Sequence, residues 1–211
     1  DLGFNDKEQL KTFNLSGSKM GMHLDSNKVV GVDASTGSLG HGMSIAVGTA
    51  LAARVLGKDY ITYVVLGDGE CDEGSNWEAA MSASHYKLKN MISFVDRNKC
   101  MIDGRTEDVM KLEPFADKWR AFGFIVKEID GNNIAELCDA IDFALANVND
   151  PESDKPVMII CDTLKGCGID FIEDNYLWHY GAFDDEKYAK AKEALKNSYA
   201  KRVARAEKEG K

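Results

Sequence analysis

Two polar residues that each follow an apolar run could bind a metal ion and a phosphate group. Asp68 lies between Gly67 and Gly69, directly after YITYVVL, and Asn98 follows MISFV after two further residues. Carboxylate and amide oxygens are hard ligands of the kind that Mg²⁺ prefers, and Mg²⁺ completes its octahedron with phosphate or water oxygens. Glycines let backbone N–H groups approach a diphosphate without a Cβ in the way. The pattern predicts a magnesium–diphosphate site.

The spacing of the two residues supports this hypothesis. Thirty positions separate Asp68 from Asn98, which is enough for a loop, a helix and a strand, the length of a right-handed crossover. Such a crossover returns the chain to the same edge of a parallel sheet, where ligands gather beyond the carboxyl ends of the strands. The alternative is an ordinary glycine turn followed by an unrelated asparagine.

The elements that must position these residues alternate along the chain. Runs rich in β-branched and aromatic residues predict strands, and longer segments with helical patterns lie between them. The predicted strands are 60–66, 91–95, 124–129 and 157–163, and the predicted helices are 41–57, 73–87, 114–122, 133–146 and 184–208. This order predicts an α/β fold with a parallel sheet and helices on both faces. We expect residues 1–211 to form a single domain with a charged C-terminal helix at about 184–208.

Composition narrows the classes of function. The chain has 211 residues and a formal net charge of −9, and the lack of a strongly basic stripe argues against nucleic-acid binding. No apolar run approaches the roughly 20 residues of a membrane-spanning helix, and no signal-like segment opens the chain. The five cysteines contain no CxxC pair, which disfavours a zinc site or a disulfide framework. We therefore expect a cytoplasmic protein that does not bind membranes.

Five sequence motifs, in the same order, resemble the transketolase family of thiamine-diphosphate enzymes. GDGE at 67–70 with Asn98 is similar to the thiamine-diphosphate signature, which opens with GDG and closes with Asn about thirty residues later. The other four are GMHLD at 21–25, STGSLGHGMSIAVG at 35–48, DTLKGCG at 162–168 and LWHYGAF at 177–183. The last two resemble the final active-site segments of split transketolases, in which two subunits share the enzyme. The resemblance implies the thiamine-diphosphate-binding fold.

The resemblance implies roles for the residues around the diphosphate. Asp68 and Asn98 would ligate Mg²⁺, with the backbone carbonyl of Cys100 as a third protein ligand. Gly69 would donate its amide to the diphosphate. Lys165 would lie near the same phosphates, although a solvated lysine is an equally good interpretation.

Further roles concern the cofactor rings and the substrate. The resemblance implies that Gly37 and Leu39 line the cofactor beside its pyrimidine and thiazolium rings. His23 would face the substrate, and His179 would lie near the phosphates and, with His23, assist proton transfer, which suits imidazole because its pKa is near neutrality. His23 in an exposed loop and His179 packed in an aromatic cluster are the alternatives. Ser38 and Leu24 stand where the family usually has proline.

One predicted helix is rich in small residues. At its start, Glu73 and Glu78 match acidic positions that couple the two sites across the family's dimer, although acids are also favoured in the first turn of any helix. Small residues follow them, namely Ala79, Ala80, Ser82, Ala83 and Ser84. We expect this helix to pack closely against a partner.

The resemblance also implies a partner and a reaction. In the family, a glutamate on a second α/β domain activates the cofactor's aminopyrimidine, and we find no second α/β repeat here. Nor do we find a counterpart of the family's opening segment upstream of Asp1. We therefore expect the diphosphate-binding half of a transketolase, inactive without a separate C-terminal, pyrimidine-binding subunit, in a dimer or heterotetramer.

The expected reaction is ketol transfer from a ketose phosphate to an aldose phosphate with thiamine diphosphate and Mg²⁺, as in the pentose phosphate pathway. Two alternatives stay open. One is an enzyme like 1-deoxyxylulose-5-phosphate synthase, which shares the GDG…N signature. The other is a truncated paralogue that binds the cofactor or a partner without turnover.

Overall fold

The computed structural model describes residues 2–208 and contains a parallel sheet with helices on both faces. The strands are β1 Thr62–Gly67, β2 Met91–Arg97, β3 Cys100–Met101, β4 Gly104–Arg105, β5 Ile125–Asp130 and β6 Val157–Asp162. The α-helices are α1 His41–Val55, α2 Gly74–His85, α3 Thr106–Val109, α4 Phe115–Ala121, α5 Ile134–Asn149 and α6 Asp185–Lys208. Short 3₁₀ helices span Lys7–Thr12, Gly69–Asp72 and Tyr176–His179.

The main sheet has four parallel strands in the order β1-β2-β6-β5. Gly67 of β1 lies opposite Asp96 of β2, and Arg97 lies opposite Asp162 of β6. The carboxyl ends of these three neighbouring strands are therefore level, so the loops that follow them begin at one edge of the sheet.

Alternate residues of the central strands face two separate cores. On one face, Met91 and Val95 of β2 pack with residues of α1, α2 and α4. On the other face, Ile92 of β2 packs with Ala140 and Ala144 of α5. Period-two alternation places successive side chains on opposite faces of a sheet. The prediction of helices on both faces is confirmed.

The small residues of α2 lie inside the chain. Ala79, Ala80 and Ala83 belong to the core that α2 shares with α1 and the sheet, and Ala80 and Ala83 are fully buried. The expectation that these alanines pack against a partner is therefore wrong, because the chain's own residues already cover them. Met81 of the same helix is exposed.

The outer edge of β1 is open. Within residues 2–208, β1 pairs with β2 alone, and the exposed fractions of Tyr63 and Val65 are 52% and 69%. A cleft of about 720 Å³ runs beside this edge. The sheet therefore presents backbone hydrogen-bonding groups and apolar side chains together on this side.

The described residues contain no helix that is both long and apolar enough to cross a bilayer. The longest helix, α6, is charged and mostly exposed, and Ala191 is its one buried residue among those described. Its bounds agree with the predicted charged helix.

Candidate functional site

The structure brings Asp68 and the turn after β2 together at one edge of the sheet. The Asp68 N–H donates to the Asp96 carbonyl at 3.2 Å, and the Lys99 N–H donates to Asp68 Oδ2 at 2.6 Å. Lys99 directly follows Asn98, so Asn98 lies beside Asp68. The crossover between β1 and β2 returns the chain to the same edge, as the spacing predicted.

The carboxylate of Asp68 is almost completely buried, with 1% of the residue exposed. Oδ1 accepts from the Gly69 N–H at 2.8 Å, and Oδ2 accepts from Lys99 and from Arg97 Nη1 at 3.1 Å. Burial raises the pKa of Asp68 above its ordinary value, while the Lys99 and Arg97 bonds oppose this rise. The arrangement fixes the orientation of the carboxylate.

The Asn98 side chain is held by its own turn. Its Oδ1 accepts from the Cys100 N–H at 3.0 Å, and its Nδ2 donates to Asp96 Oδ2 at 3.1 Å. A carboxamide oxygen carries two lone pairs, so one remains for a second partner. Cys100 then opens the hairpin of β3 and β4, in which it lies opposite Arg105.

The oxygen donors of this edge fit a hard divalent cation. Asp68 offers a carboxylate, Asn98 an amide oxygen and Cys100 a backbone carbonyl, which is the donor chemistry that Mg²⁺ prefers. Residues 2–208 contain no group of three or more His, Cys, Asp or Glu side chains suited to a metal. A metal here would therefore depend on amide, carbonyl and phosphate oxygens as well as on Asp68.

Gly69 is needed at its position for steric reasons. A Cβ on Gly69 would lie 3.0 Å from the Cβ of Met101 in the hairpin. Its N–H is donated to Asp68 in this structure, so a diphosphate would have to share or replace that bond.

His23 and Gly37, two residues singled out from the sequence, lie against each other. Gly37 has φ +125°, and a Cβ there would overlap Cγ and Nδ1 of the His23 ring. Gly37 and the 56%-exposed Leu39 line the cleft beside β1. The structure therefore places an exposed imidazole directly beside the loop that contains Gly37 and Leu39.

Glu70 joins this loop to the end of β1, and sequence reasoning missed it. Its Oε1 accepts from the Gly40 N–H at 3.0 Å, and its Oε2 accepts from the Gly67 N–H at 3.1 Å. The Ser75 hydroxyl donates to the Gly40 carbonyl at 2.9 Å. The position of Glu70 in the GDGE motif was the signal available in the sequence.

Lys165 and His179 form a separate pair. Lys165 Nζ lies 3.5 Å from His179 Nδ1. Partial desolvation of the ring, and then the nearby ammonium charge, lower the pKa of His179 below its ordinary value. The hydrogen bonds of Asp68 involve neither residue, so the pair and the Asp68 edge are two parts of the candidate site.

Comparisons with known proteins agree on one family. Residues 2–207 match the family model described as "Transketolase, thiamine diphosphate binding domain". One of the named subunits of the apulose-4-phosphate transketolase of Actinobacillus succinogenes is 40% identical over 93% of this chain and 69% of that protein. The 6-deoxy-6-sulfo-D-fructose transketolase subunit SqwG of a Clostridium species is 41% identical over 99% of this chain and 70% of that protein.

Solved structures agree with these sequence matches. Transketolase from Campylobacter jejuni superposes with a TM-score of 0.81 at 32% identity, over 89% of this chain and 30% of that chain. Transketolase from Leishmania mexicana gives 0.72 at 27% identity, over 93% and 33%. The chain thus spans about a third of these solved enzymes.

Proposed function

Since this chain belongs to the transketolase family, as a thiamine diphosphate binding domain, we propose that it holds the diphosphate end of thiamine diphosphate through Mg²⁺. Asp68, Asn98 and the carbonyl of Cys100 would be the protein ligands of the metal. The observation that supports this most strongly is the bond from the Lys99 N–H to Asp68 Oδ2 at 2.6 Å. It fastens the metal-binding turn to the carboxylate before any ligand arrives.

Other residues would hold the rest of the cofactor and the substrate. Gly37 and Leu39 would line the cofactor rings, and Gly69 and Lys165 would contact the phosphates. His23 and His179 would exchange protons with substrate hydroxyls, and the lowered pKa of His179 keeps its ring neutral at pH 7 and able to accept a proton. Thiamine diphosphate, when bound, supplies an electron sink for a carbanion.

We propose that catalysis also needs a separate subunit that binds the pyrimidine end of the cofactor and provides an activating glutamate. The relative from Actinobacillus succinogenes is named as one lettered subunit of its transketolase, which supports a second polypeptide in that enzyme. A dimer or heterotetramer with the pyrimidine-binding subunit is the expected assembly.

The proposed reaction is transfer of a two-carbon ketol unit from a ketose phosphate to an aldose phosphate. Relatives are named for apulose 4-phosphate and for 6-deoxy-6-sulfo-D-fructose, so both compounds belong in a substrate panel beside xylulose 5-phosphate. Turnover of pyruvate in place of a ketose phosphate would indicate a 1-deoxyxylulose-5-phosphate synthase-like enzyme, and cofactor binding without turnover would indicate a non-catalytic paralogue.

Calorimetry with thiamine diphosphate and Mg²⁺, with and without copurifying subunits, tests the metal assignment. Asp68→Asn should weaken binding at least about tenfold, because it removes one charge from a divalent site. Asp130→Asn is a matched control, since Asp130 ends β5 at the same edge of the sheet. Equal affinities of wild type and Asp68→Asn would refute the assignment.

A further inference from the structure

A long loop carries the two residues proposed to lie near the phosphates. We call residues 163–183, between β6 and α6, the phosphate-side loop. It contains Lys165 and His179, and its one helical element is the short 3₁₀ helix Tyr176–His179. A segment of this length with little regular structure needs side-chain anchors to hold a defined geometry.

The first half of the phosphate-side loop is closed into a ring by hydrogen bonds. The Asp174 N–H donates to the Lys165 carbonyl at 2.9 Å, and the Gly168 N–H donates to Glu173 Oε1 at 2.8 Å. Asp174 has a left-handed backbone, with φ +56°. The position of the Lys165 backbone is therefore tied directly to that of Asp174.

Arg105 holds Asp174 with three hydrogen bonds. Its Nη1 donates to Asp174 Oδ1 at 2.5 Å, and its Nη2 donates to Oδ2 at 2.6 Å and to the Asp174 carbonyl at 3.1 Å. Two-pronged arginine–carboxylate pairs fix geometry better than ordinary surface ion pairs do. The pairing lowers the pKa of Asp174 and raises that of Arg105.

Arg105 belongs to the hairpin that would provide a metal ligand. It lies opposite Cys100 in the β3–β4 pair, and its Nη1 also lies 3.5 Å from Cys100 Sγ. Arg105, Asp174 and Asn98 line one cleft of about 1030 Å³. Arg105 therefore connects the hairpin that follows Asn98 to the ring that contains Lys165.

The other side of the phosphate-side loop is anchored to α6. Phe171, Trp178 and Phe183 form an aromatic cluster in which the last two stack at 5.5 Å, and Lys190 Nζ of α6 lies 5.0 Å from the Phe171 ring. The loop thus has one anchor on α6 and another, Arg105, on the metal side.

We propose that Arg105 is a positioning residue that latches the phosphate-side loop onto the β3–β4 hairpin and so sets the distance from Lys165 and His179 to the metal ligands. This inference rests on the proposed function for the identity of the ligand. The latch itself is a property of the chain without cofactor, so it can be measured separately.

Hydrogen–deuterium exchange of the cofactor-free protein tests the latch. Arg105→Ala and Asp174→Asn should each speed exchange in peptides covering 165–175 by roughly five- to tenfold, the scale of a two-pronged charged pair. The double variant should exchange no faster than either single variant, because both remove the same contact. Arg105→Lys, which keeps the charge but not the fork, should give an intermediate rate.

Arg120→Ala is the matched control. Arg120 is similarly exposed and pairs with Asp117 and Glu128 on α4 and β5, so its loss should leave exchange in 165–175 unchanged. Unchanged exchange in Arg105→Ala, or additive effects of the two single variants, would overturn the latch.

Calorimetry separates the latch from the proposed function. If wild-type protein binds thiamine diphosphate with Mg²⁺, Arg105→Ala should weaken that affinity about tenfold, with Arg105→Lys between the two. Wild-type binding with unchanged affinity in Arg105→Ala would contradict the positioning role alone. No binding by wild type, with or without copurifying subunits, would contradict the proposed function and the ligand assigned to the latch.

Discussion

At the residue scale, the partner of Asp68 in this structure is a buried arginine. Arg97 donates to Asp68 Oδ2, to the Thr106 hydroxyl at 2.8 Å, and to Glu107 and Glu113 at 3.0 and 2.9 Å. Only 5% of its side chain is exposed. Arg97 therefore neutralises Asp68 and joins it to the segment that begins with α3.

Replacement of Arg97 should strongly destabilise the fold. Arg97→Met leaves Asp68 buried without its charged partner, and breaking a buried ion pair in this way costs about 3–5 kcal/mol. Urea denaturation would measure the loss in the free energy of unfolding. Arg120→Met, at an exposed pair, should lose no more than about 1 kcal/mol, and an equal loss in both variants would contradict a special role for Arg97.

The pKa of His179 can be tested by NMR titration. Lys165 is a positive charge beside the ring, so its presence disfavours protonation of His179. Lys165→Met should therefore raise the pKa of His179, leaving the lowering by desolvation in place. A histidine that titrates identically in both proteins would show that the two side chains are not close in solution.

Cysteine reactivity should follow burial. Burial, and then the charge of Asp96, raise the pKa of Cys161 to about 11, and burial also raises that of Cys71, whereas Cys138 is exposed. Because the thiolate is the reactive form, iodoacetamide at pH 8 should modify Cys138 and spare Cys71 and Cys161 until denaturant is added. Mass spectrometry of tryptic peptides reports the order of modification, and early labelling of Cys71 would contradict the fold around it.

At the element scale, the start of α1 depends on a glycine. Gly40 precedes the helix with φ +82°, and a Cβ there would overlap the Ser75 hydroxyl and lie 2.7 Å from the Glu73 Cβ. Gly40→Ala should cost about 1–3 kcal/mol from backbone strain and crowding.

Thermal unfolding measures this cost, and Gly48→Ala is the control in the same helix. A Cβ at Gly48 meets no atom within 4 Å, so this change should stabilise the chain by up to about 1 kcal/mol through helix propensity. Similar effects of the two substitutions would show that the position before α1 is not constrained.

Periodicity predicted the regular elements well. Strands predicted at 60–66 and 91–95 are observed as Thr62–Gly67 and Met91–Arg97, because apolar β-branched runs have few alternatives in a buried parallel sheet. The helix predicted at 41–57 ends at Val55, and the left-handed Gly57 follows it. The errors are confined to the ends, where fraying and capping decide the boundary.

The hairpin of β3 and β4, the short α3 and the 3₁₀ turns were not predicted, since two to six residues carry too little periodic signal. The same limit applies to the site. Asp68 and Asn98 could be placed at one edge from spacing alone, whereas the bonds of Glu70 and Arg105 join residues 30 and 69 positions apart. Such contacts depend on how loops pack, which local sequence does not encode.

At the scale of the whole molecule, the open edge of β1 should promote association of the isolated chain. Unpaired strand edges with exposed apolar side chains favour pairing with other chains, and β1 combines such an edge with Val65 and Tyr63. Val65→Lys should shift the isolated chain toward the monomer.

Sedimentation velocity over a concentration series measures this shift. Ile134→Lys is the control, because Ile134 is 71% exposed but lies at the start of α5, away from β1. An equal change of oligomer distribution in both variants would show that general surface hydrophobicity, and not the strand edge, drives association.

The direction of β1 limits how a protein engineer could seal that edge. All four strands of the main sheet run the same way, and a tight two-residue turn reverses chain direction. A protective strand grafted through such a turn would therefore run against β1. A graft that continues the parallel pattern needs a crossover of a dozen or more residues, in effect an added helix, and the exposed face around Val65 is where that helix would find apolar surface to cover.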